Sequence, residues 1–462
     1  MIRKIKLPVV LVATSISSFT TPFLGSSVNV ALPAIASDFS MSALGLSWVA
    51  SSFIMAAAIM LLPLGRLADL HGRKRFFFWG SIIVGVSSLA CNFAPNEAVF
   101  IALRVVQGAG SAMIFSTGTA MLISAYPPHR RGMVLGINVA AVYVGLTVGP
   151  FIGGIIVEHL GWRAIFEINA LLGAAAAGLC FFMDREKQMP QNGEYFDLPG
   201  SFLYALALFS VMYGFSTLPR LTGAVLVACG VVCFFFFVRR QLGMDFPLID
   251  VRLFSDNRVF GMSNLATLIH YCATFAVTFL MSLYLQHVKL LSPSHTGFIL
   301  VMAPVLQALF SPFAGWLSDH REPRIIASTG MALSAAGLTG LAFISASTHI
   351  GLILLWLAML GVGFALFSSP NVNAVMSSVE TKLYGIASAT LATMRLVGQM
   401  LSMGIAMLIF SCVIGDQPLG HDNSDLLVLS AKIILSIMAV TCVAGVFASL
   451  ARGRVHDGRA AS

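Results

Sequence analysis

The chain is a succession of long apolar runs broken by short charged or Pro/Gly-rich stretches. A bilayer crossing needs about 20 mostly apolar residues. On that measure the runs predict spans near 8–34, 44–67, 76–94, 98–124, 133–157 and 163–183. A polar segment from Asp184 to Asp197 follows, then spans near 198–218 and 221–238. After a basic stretch from Arg239 to Arg258, six more lie near 259–287, 295–317, 324–345, 349–372, 383–413 and 426–450. The pattern is fourteen spans, ordered six, two and six. The middle two also suit a re-entrant or surface hairpin. The basic start, Met1 to Lys6, imitates a signal peptide, but the apolar run behind it is too long and reads as an uncleaved first span.

Composition agrees. Of 462 residues, 58% are hydrophobic and only 10% charged, against about 25% charged in soluble domains. A soluble multidomain enzyme and a disordered chain are excluded. The net charge of +8 would on a soluble protein suggest nucleic acid. Its distribution says otherwise. With a cytoplasmic N-terminus, only Arg163, Arg220 and Lys289 fall at outer ends, and Arg104, Arg395 and Lys432 within spans. All other Lys and Arg lie inside, which satisfies the positive-inside rule with both termini cytoplasmic. The seven cysteines lie in or beside apolar runs without a CxxC pair. They read as packing residues, with no disulfide framework and no metal site.

Gly65-Arg-Leu-Ala-Asp69-Leu-His-Gly-Arg73 closes the second span, and Gly315-Trp-Leu-Ser-Asp319 closes the second span of the last six. Each follows a proline, Pro63 or Pro312, which suggests duplication. Span four holds Leu103-Arg104-Val-Val-Gln107-Gly108-Ala-Gly110. Span five holds Gly145-Leu-Thr-Val-Gly149-Pro150-Phe-Ile-Gly153-Gly154. The Gly65–Lys74 segment resembles the signature loop of the major facilitator superfamily. The span-five segment resembles the antiporter motif of its drug-export branches. Asn29–Pro33, Gly161–Asn169 and Pro247–Phe254 are similar to the fourteen-span drug:proton antiporter family. The resemblance covers essentially the whole chain.

It implies an all-α membrane protein of the major facilitator fold. An N-terminal six-helix bundle would occupy 1–183, a linker with two additional helices 184–258, and a C-terminal six-helix bundle 259–462. It also implies a conformational switch at Gly65, Asp69, Gly72, Arg73 and Asp319, with a part for Arg104 in proton coupling. The glycine face of span five would pack against the family's eighth span and limit leak. The residues admit plainer readings. Arg73, Lys74 and Arg75 anchor by charge, Arg104 anchors neighbouring carbonyls, and glycines four apart allow close helix packing. Pro150 removes one helix hydrogen bond.

The family's span-one aspartate is missing, because Leu24 stands at its position. Of the nineteen acids, only Glu167 falls inside a span. It either pairs with Arg163 four residues earlier or, desolvated, carries the proton. His270 is the other titratable candidate. Polar candidates for a cavity lining are Gln107, Asn138, Tyr143, Asn264, Gln307, Asn371, Asn373, Arg395 and Gln399, with Phe53, Tyr271 and Phe275 as aromatic ones. With Arg104 and Arg395 and no acid, neutral or anionic amphiphiles suit this cavity as well as cations.

The leading expectation is a secondary active transporter of small molecules, monomeric and lipid-embedded, in a bacterial-type inner membrane. It would export small amphipathic compounds by alternating access, coupled to protons. An uncoupled facilitator, or an exporter of a neutral or anionic metabolite, is the alternative. No cofactor and no nucleic-acid partner are expected. The absence of a G-x-x-x-x-G-K-[S/T] loop argues against ATP drive, and a membrane-embedded enzyme would need acids or histidines clustered in the spans.

Overall fold

The computed structural model describes residues 2–183, 196–380, 383–415 and 424–453, with the backbone alone at 2–8, 128, 129, 132 and 319. These residues are all-α. The first group of helices is α1 (Ile2–Phe39), α2 (Ala43–His71), α3 (Arg73–Cys91), α4 (Glu97–Ala125), α5 (Pro128–Leu160) and α6 (Arg163–Cys180). A hairpin of α7 (Leu198–Thr217) and α8 (Leu221–Leu242) follows, then the short α9 (Arg252–Asp256). The last group is α10 (Arg258–Thr274), α11 (Ala276–Leu283), a π-turn at Tyr284–Val288, α12 (Pro293–Leu300), α13 (Met302–His320), α14 (Pro323–Ala342), α15 (Ile350–Ser377), α16 (Tyr384–Val413) and α17 (Ser424–Leu450).

Among the described residues, thirteen segments are long and apolar enough to cross a bilayer, two of them compound: α10 through the π-turn, and α12 with most of α13. Of the fourteen expected spans, α3 falls outside this set. It is 19 residues long and opens with Arg73, Lys74 and Arg75, so charge occupies its first turn. Several helices also overrun their predicted spans. Thus α1 continues to Phe39 and α5 begins at Pro128.

Local chemistry sets the helix ends. Ser42 caps α2 by accepting from the Gly45 amide at 3.2 Å, and Asn96 caps α4 by accepting from Val99 at 3.0 Å. A single residue, Gly72, reverses the chain between α2 and α3. Its φ of 105° is costly for any residue with a Cβ. Asp197 caps α7 at Gly200 (2.9 Å) and also accepts from Arg240 (2.9 Å) and Gln241 (2.8 Å) of α8. One buried carboxylate therefore fastens both ends of the hairpin together.

Helices α1 to α6 pack as one bundle, through α1–α5, α2–α4, α3–α4 and α3–α6. Helices α10 to α17 form a second, through α10–α16, α10–α17, α13–α15, α14–α15 and α14–α17. The bundles meet at α1–α11, α2–α16 and α5–α12, and α7 lies against both α2 and α16. One connected cluster of buried apolar side chains runs through both bundles.

Candidate functional site

A cavity of about 1280 Å³ lies between the bundles. Residues of α1, α2, α4 and α5 form one wall, and residues of α10, α15 and α16 the other. Its mouth includes Asp69 and Arg73 at the α2–α3 turn, Arg131 on the first turns of α5, Asp245 and Asp250 before α9, and Tyr384 at the start of α16. All belong to the end of the molecule that carries Arg73, Lys74 and Arg75, called here the basic end.

The far end is closed by contacts between bundles. Ser282 Oγ donates to the Asn29 carbonyl at 2.6 Å, and Gln286 Nε2 to the Val30 carbonyl at 3.0 Å. The Ser294 amide, at the start of α12, donates to Glu158 Oε2 on α5 at 3.1 Å. Beside it the backbones touch. A Cβ on Gly154 would stand 2.5 Å from the Pro293 carbonyl oxygen, and one on Gly297 would strike the Pro150 carbonyl. The other motif glycines face within the first bundle. A Cβ on Gly145 would meet the Phe19 carbonyl at 2.5 Å, and one on Gly153 would meet Ser27 at 2.7 Å; Gly149 lies on Ser26. Ser27 Oγ also donates to the Gly149 carbonyl at 2.9 Å. The glycine face expected to meet one helix thus serves two: α1 along most of its length, and α12 at Gly154.

Asp69 and Arg73 form an i,i+4 pair at 2.8 Å. With side chains 46% and 33% exposed, that pair is screened and weak. The side chain of Asp319, the expected counterpart, lies outside the described residues.

Of the expected lining residues, Asn138, Asn371, Arg395 and Tyr271 line the cavity. Ser18 Oγ donates to Asn138 Oδ1 at 2.9 Å on one wall. On the other, Tyr271 lies against Arg395 and Ser368, and Asn371 donates to Thr267 Oγ1 at 2.8 Å. Gln107, Tyr143, Asn264 and Gln307 are not among the lining residues. Tyr143 is close to Tyr271, and Asn264 turns back to the Phe260 carbonyl of its own helix at 2.9 Å.

Arg104 is buried inside the first bundle. It donates to the Val49 carbonyl at 3.2 Å and to Gln107 Oε1, and stacks 4.7 Å from the Phe53 ring centroid. Gln107 donates in turn to Ser88 at 2.6 Å, as does Asn169. These contacts are those of an anchor tying α2, α3, α4 and α6.

The expected Arg163–Glu167 pair does not form. Arg163 binds Asp38 at 2.7 Å, a carboxylate that also accepts from Trp162 at 2.8 Å. Glu167 is exposed and accepts from Asn92 at 3.1 Å. It is not desolvated, because α6 buries Phe166 and Asn169 and turns Glu167 outward. His270 is fully buried, with ring centroids 4.1 Å from Phe367 and 4.9 Å from Phe364. Neither ring nitrogen has a hydrogen-bond partner among the described residues.

Sequence reasoning missed Arg452, which it assigned to the inner tail. It is fully buried and donates to Asn371 Oδ1 at 3.0 Å and to the Ser449 carbonyl at 2.9 Å. It holds a cavity-lining asparagine from behind. Only its closeness to the last apolar run hinted at burial.

Comparison with known proteins matches this architecture. The sequence model of the Major Facilitator Superfamily matches residues 14–263 and again 263–457. The riboflavin transporter RibZ of Clostridioides difficile is 30% identical over 387 residues, 84% of each chain. The multidrug resistance protein Stp of Mycobacterium tuberculosis is 30% identical, covering 86% of this chain and 74% of that one. Among solved structures, a bacterial homolog of the human lysosomal transporter Spinster, inward-facing and unoccupied, superposes with a TM-score of 0.71 at 15% identity, covering 98% of this chain and 97% of that one. With its two matched halves and a cavity between two helical bundles, the chain belongs to the major facilitator superfamily and is a multi-pass membrane transport protein rather than an enzyme.

Proposed function

We propose that this protein exports small amphipathic compounds across a cell inner membrane, by rocking α1–α6 against α10–α17. The observation that carries the reading is the one-ended cavity, open between the bundles at the basic end and shut at the other. The excess of Lys and Arg at that end makes it cytoplasmic, so this conformation is the one that loads from the cytoplasm. Helix α3 completes fourteen crossings, its leading charges lying in the headgroup layer. Relatives named for multidrug resistance and for export of tetracenomycin C support efflux, and proton exchange is the drive this reading assigns.

A specific observation favours a second reading for the drive. The cavity's acids, Asp69, Asp245 and Asp250, all stand near its mouth, and Arg104, Glu167 and His270 do not line it. An uncoupled facilitator of a neutral or anionic compound fits that arrangement. Two measurements test these readings. Thiol labelling of cysteines placed at the two ends of the cavity should show them reactive in alternation; simultaneous reactivity would sink alternating access. In sealed vesicles, a substrate gradient that collapses with protonophore identifies proton drive. Substrate that only equilibrates identifies the facilitator.

A further inference from the structure

Among the described residues, Arg104, Arg452 and Arg395 lie well inside the bundles, and Arg395 differs from the other two. Arg104 is saturated by the Val49 carbonyl, Gln107 and the Phe53 ring, and Arg452 by Asn371 and the Ser449 carbonyl. Both are fully buried. Arg395 is only half-buried and faces the cavity. It has the Tyr271 phenol beside it and no carboxylate within ion-pair distance among the described residues. It stands eleven residues past Tyr384 on α16, roughly 16 Å from the mouth at 1.5 Å per residue.

A guanidinium in a low-dielectric recess without a counter-ion attracts an anion more strongly than it would in water. Its planar fork suits carboxylate, sulfonate and phosphate oxygens. The acids near the mouth do not compete for it. Asp69 stands at the α2–α3 turn 2.8 Å from Arg73, and Asp250 accepts the Arg252 amide at 3.2 Å. Behind the wall, the Arg452 guanidinium adds positive potential through Asn371. The opposite wall is apolar where Phe115, Val139 and Val142 line it. Around Arg395 the recess therefore sets a cation and hydroxyls across from an apolar strip, while Arg66 and Arg131 line it nearer the mouth.

We propose that Arg395, with Tyr271 and Ser368, forms an anion-recognising subsite. On this view the compound carried is a small organic anion with an acidic group joined to an apolar body. The proposal rests on the export reading above and narrows its substrate class.

The test uses ligand pairs that share a ring and differ in charge: riboflavin 5′-phosphate against riboflavin, and 2-naphthoate against 2-naphthamide. Binding is measured to the full chain in phosphatidylcholine nanodiscs, by flavin fluorescence and by competition. Wild type should bind the anionic member of each pair roughly tenfold tighter, a preference lost in Arg395→Gln and retained in Arg395→Lys. Melting curves of both variants confirm that they fold. Equal affinity within both pairs overturns the subsite. So does failure of both anions to bind at about 1 mM, or a preference that survives Arg395→Gln. Loss of anion binding in discs containing phosphatidylglycerol also overturns it, assigning the recess to a lipid headgroup. Alternating reactivity of the two cavity ends, measured in the same preparation, tells loss of this subsite from loss of the export reading.

Discussion

Replacing Gly154 by alanine tests whether the α5–α12 contact is the closing surface of the far end. An ideal Cβ there stands 2.5 Å from the Pro293 carbonyl oxygen and 3.1 Å from Pro293 C and Ser294 Cα. Ordinary contact begins at 3.4 Å. The two helices must therefore part by about 0.9 Å at this point, because all three obstructing atoms are backbone and no side chain can turn aside. Overpacking of this kind costs about 1–3 kcal/mol. The cost falls only on the state in which the far end is shut. Alanine's helix propensity gain of about 1 kcal/mol over glycine is common to both states and cancels. The equilibrium should move roughly 5- to 150-fold toward the form open at the far end. Pulsed electron resonance between spin labels at Leu160 and Leu290 reads this shift. Both residues are exposed and stand on opposite bundles at that end, and the accessible Cys229, Cys233 and Cys412 would first be replaced by serine. Gly154→Ala should raise the long-distance population. Gly178→Ala, where nothing lies within 4 Å of the new methyl, should leave it unchanged. Gly153→Ala obstructs Ser27 of the same bundle, so it should lower stability without moving the populations. A folded Gly154→Ala protein with the parent distance distribution would refute the argument.

Three other predictions follow from the buried and exposed polar groups. Arg104→Ala strips the Val49 carbonyl and Gln107 of their donor and leaves a void. It should cost about 2–4 kcal/mol of stability, seen as a lower melting temperature of the solubilised protein; an unchanged value would contradict the anchoring role. Glu167→Gln should leave transport rate and its pH profile as in the parent, because the carboxylate is exposed and remote from the cavity; loss of the proton-dependent component would disprove this. His270→Phe keeps the stack on Phe367 and removes two unpartnered ring nitrogens, so stability should stay within about 1 kcal/mol of the parent. The pH profile of transport should also be unchanged, and its disappearance would restore His270 as a proton carrier.

The helices were legible in the sequence because each must hide its backbone from lipid over a fixed length, and the apolar runs carry that length. The close packing along Gly145, Gly149 and Gly153 was legible because glycines four apart let a neighbouring backbone approach. The lining of the cavity was legible only in part. Asn138, Asn371 and Arg395 line it, whereas Gln107, Asn264 and Gln307 do not, and all six are polar residues inside apolar helices. What separates them is the rotation of each helix about its axis, which is set by neighbours rather than by local composition. The same blindness hid Arg452. A basic residue just past the last span counts as anchoring charge until Ser263 of α10 and Asn371 of α15 are seen to hold it. Arg163 went astray for a related reason: four-residue spacing proposed Glu167, and the chain instead supplied Asp38 from a helix distant in sequence.

The hairpin of α7 and α8 has a consequence for how oily compounds reach the cavity. Tyr204 donates to the Ala58 carbonyl on α2 at 3.1 Å, and Ser411 of α16 donates to the Leu218 carbonyl just past α7 at 2.6 Å. The ring of Tyr213 packs 6.1 Å from that of Trp48, and Gly404 of α16 lies on Phe215. Helix α7 therefore lies along the seam between α2 and α16 and roofs it against the lipid. The opposite seam, between α5 and α13, carries no such brace among the described residues. A solute dissolved in the leaflet at the basic end therefore meets α7 wherever it approaches along the α2–α16 seam.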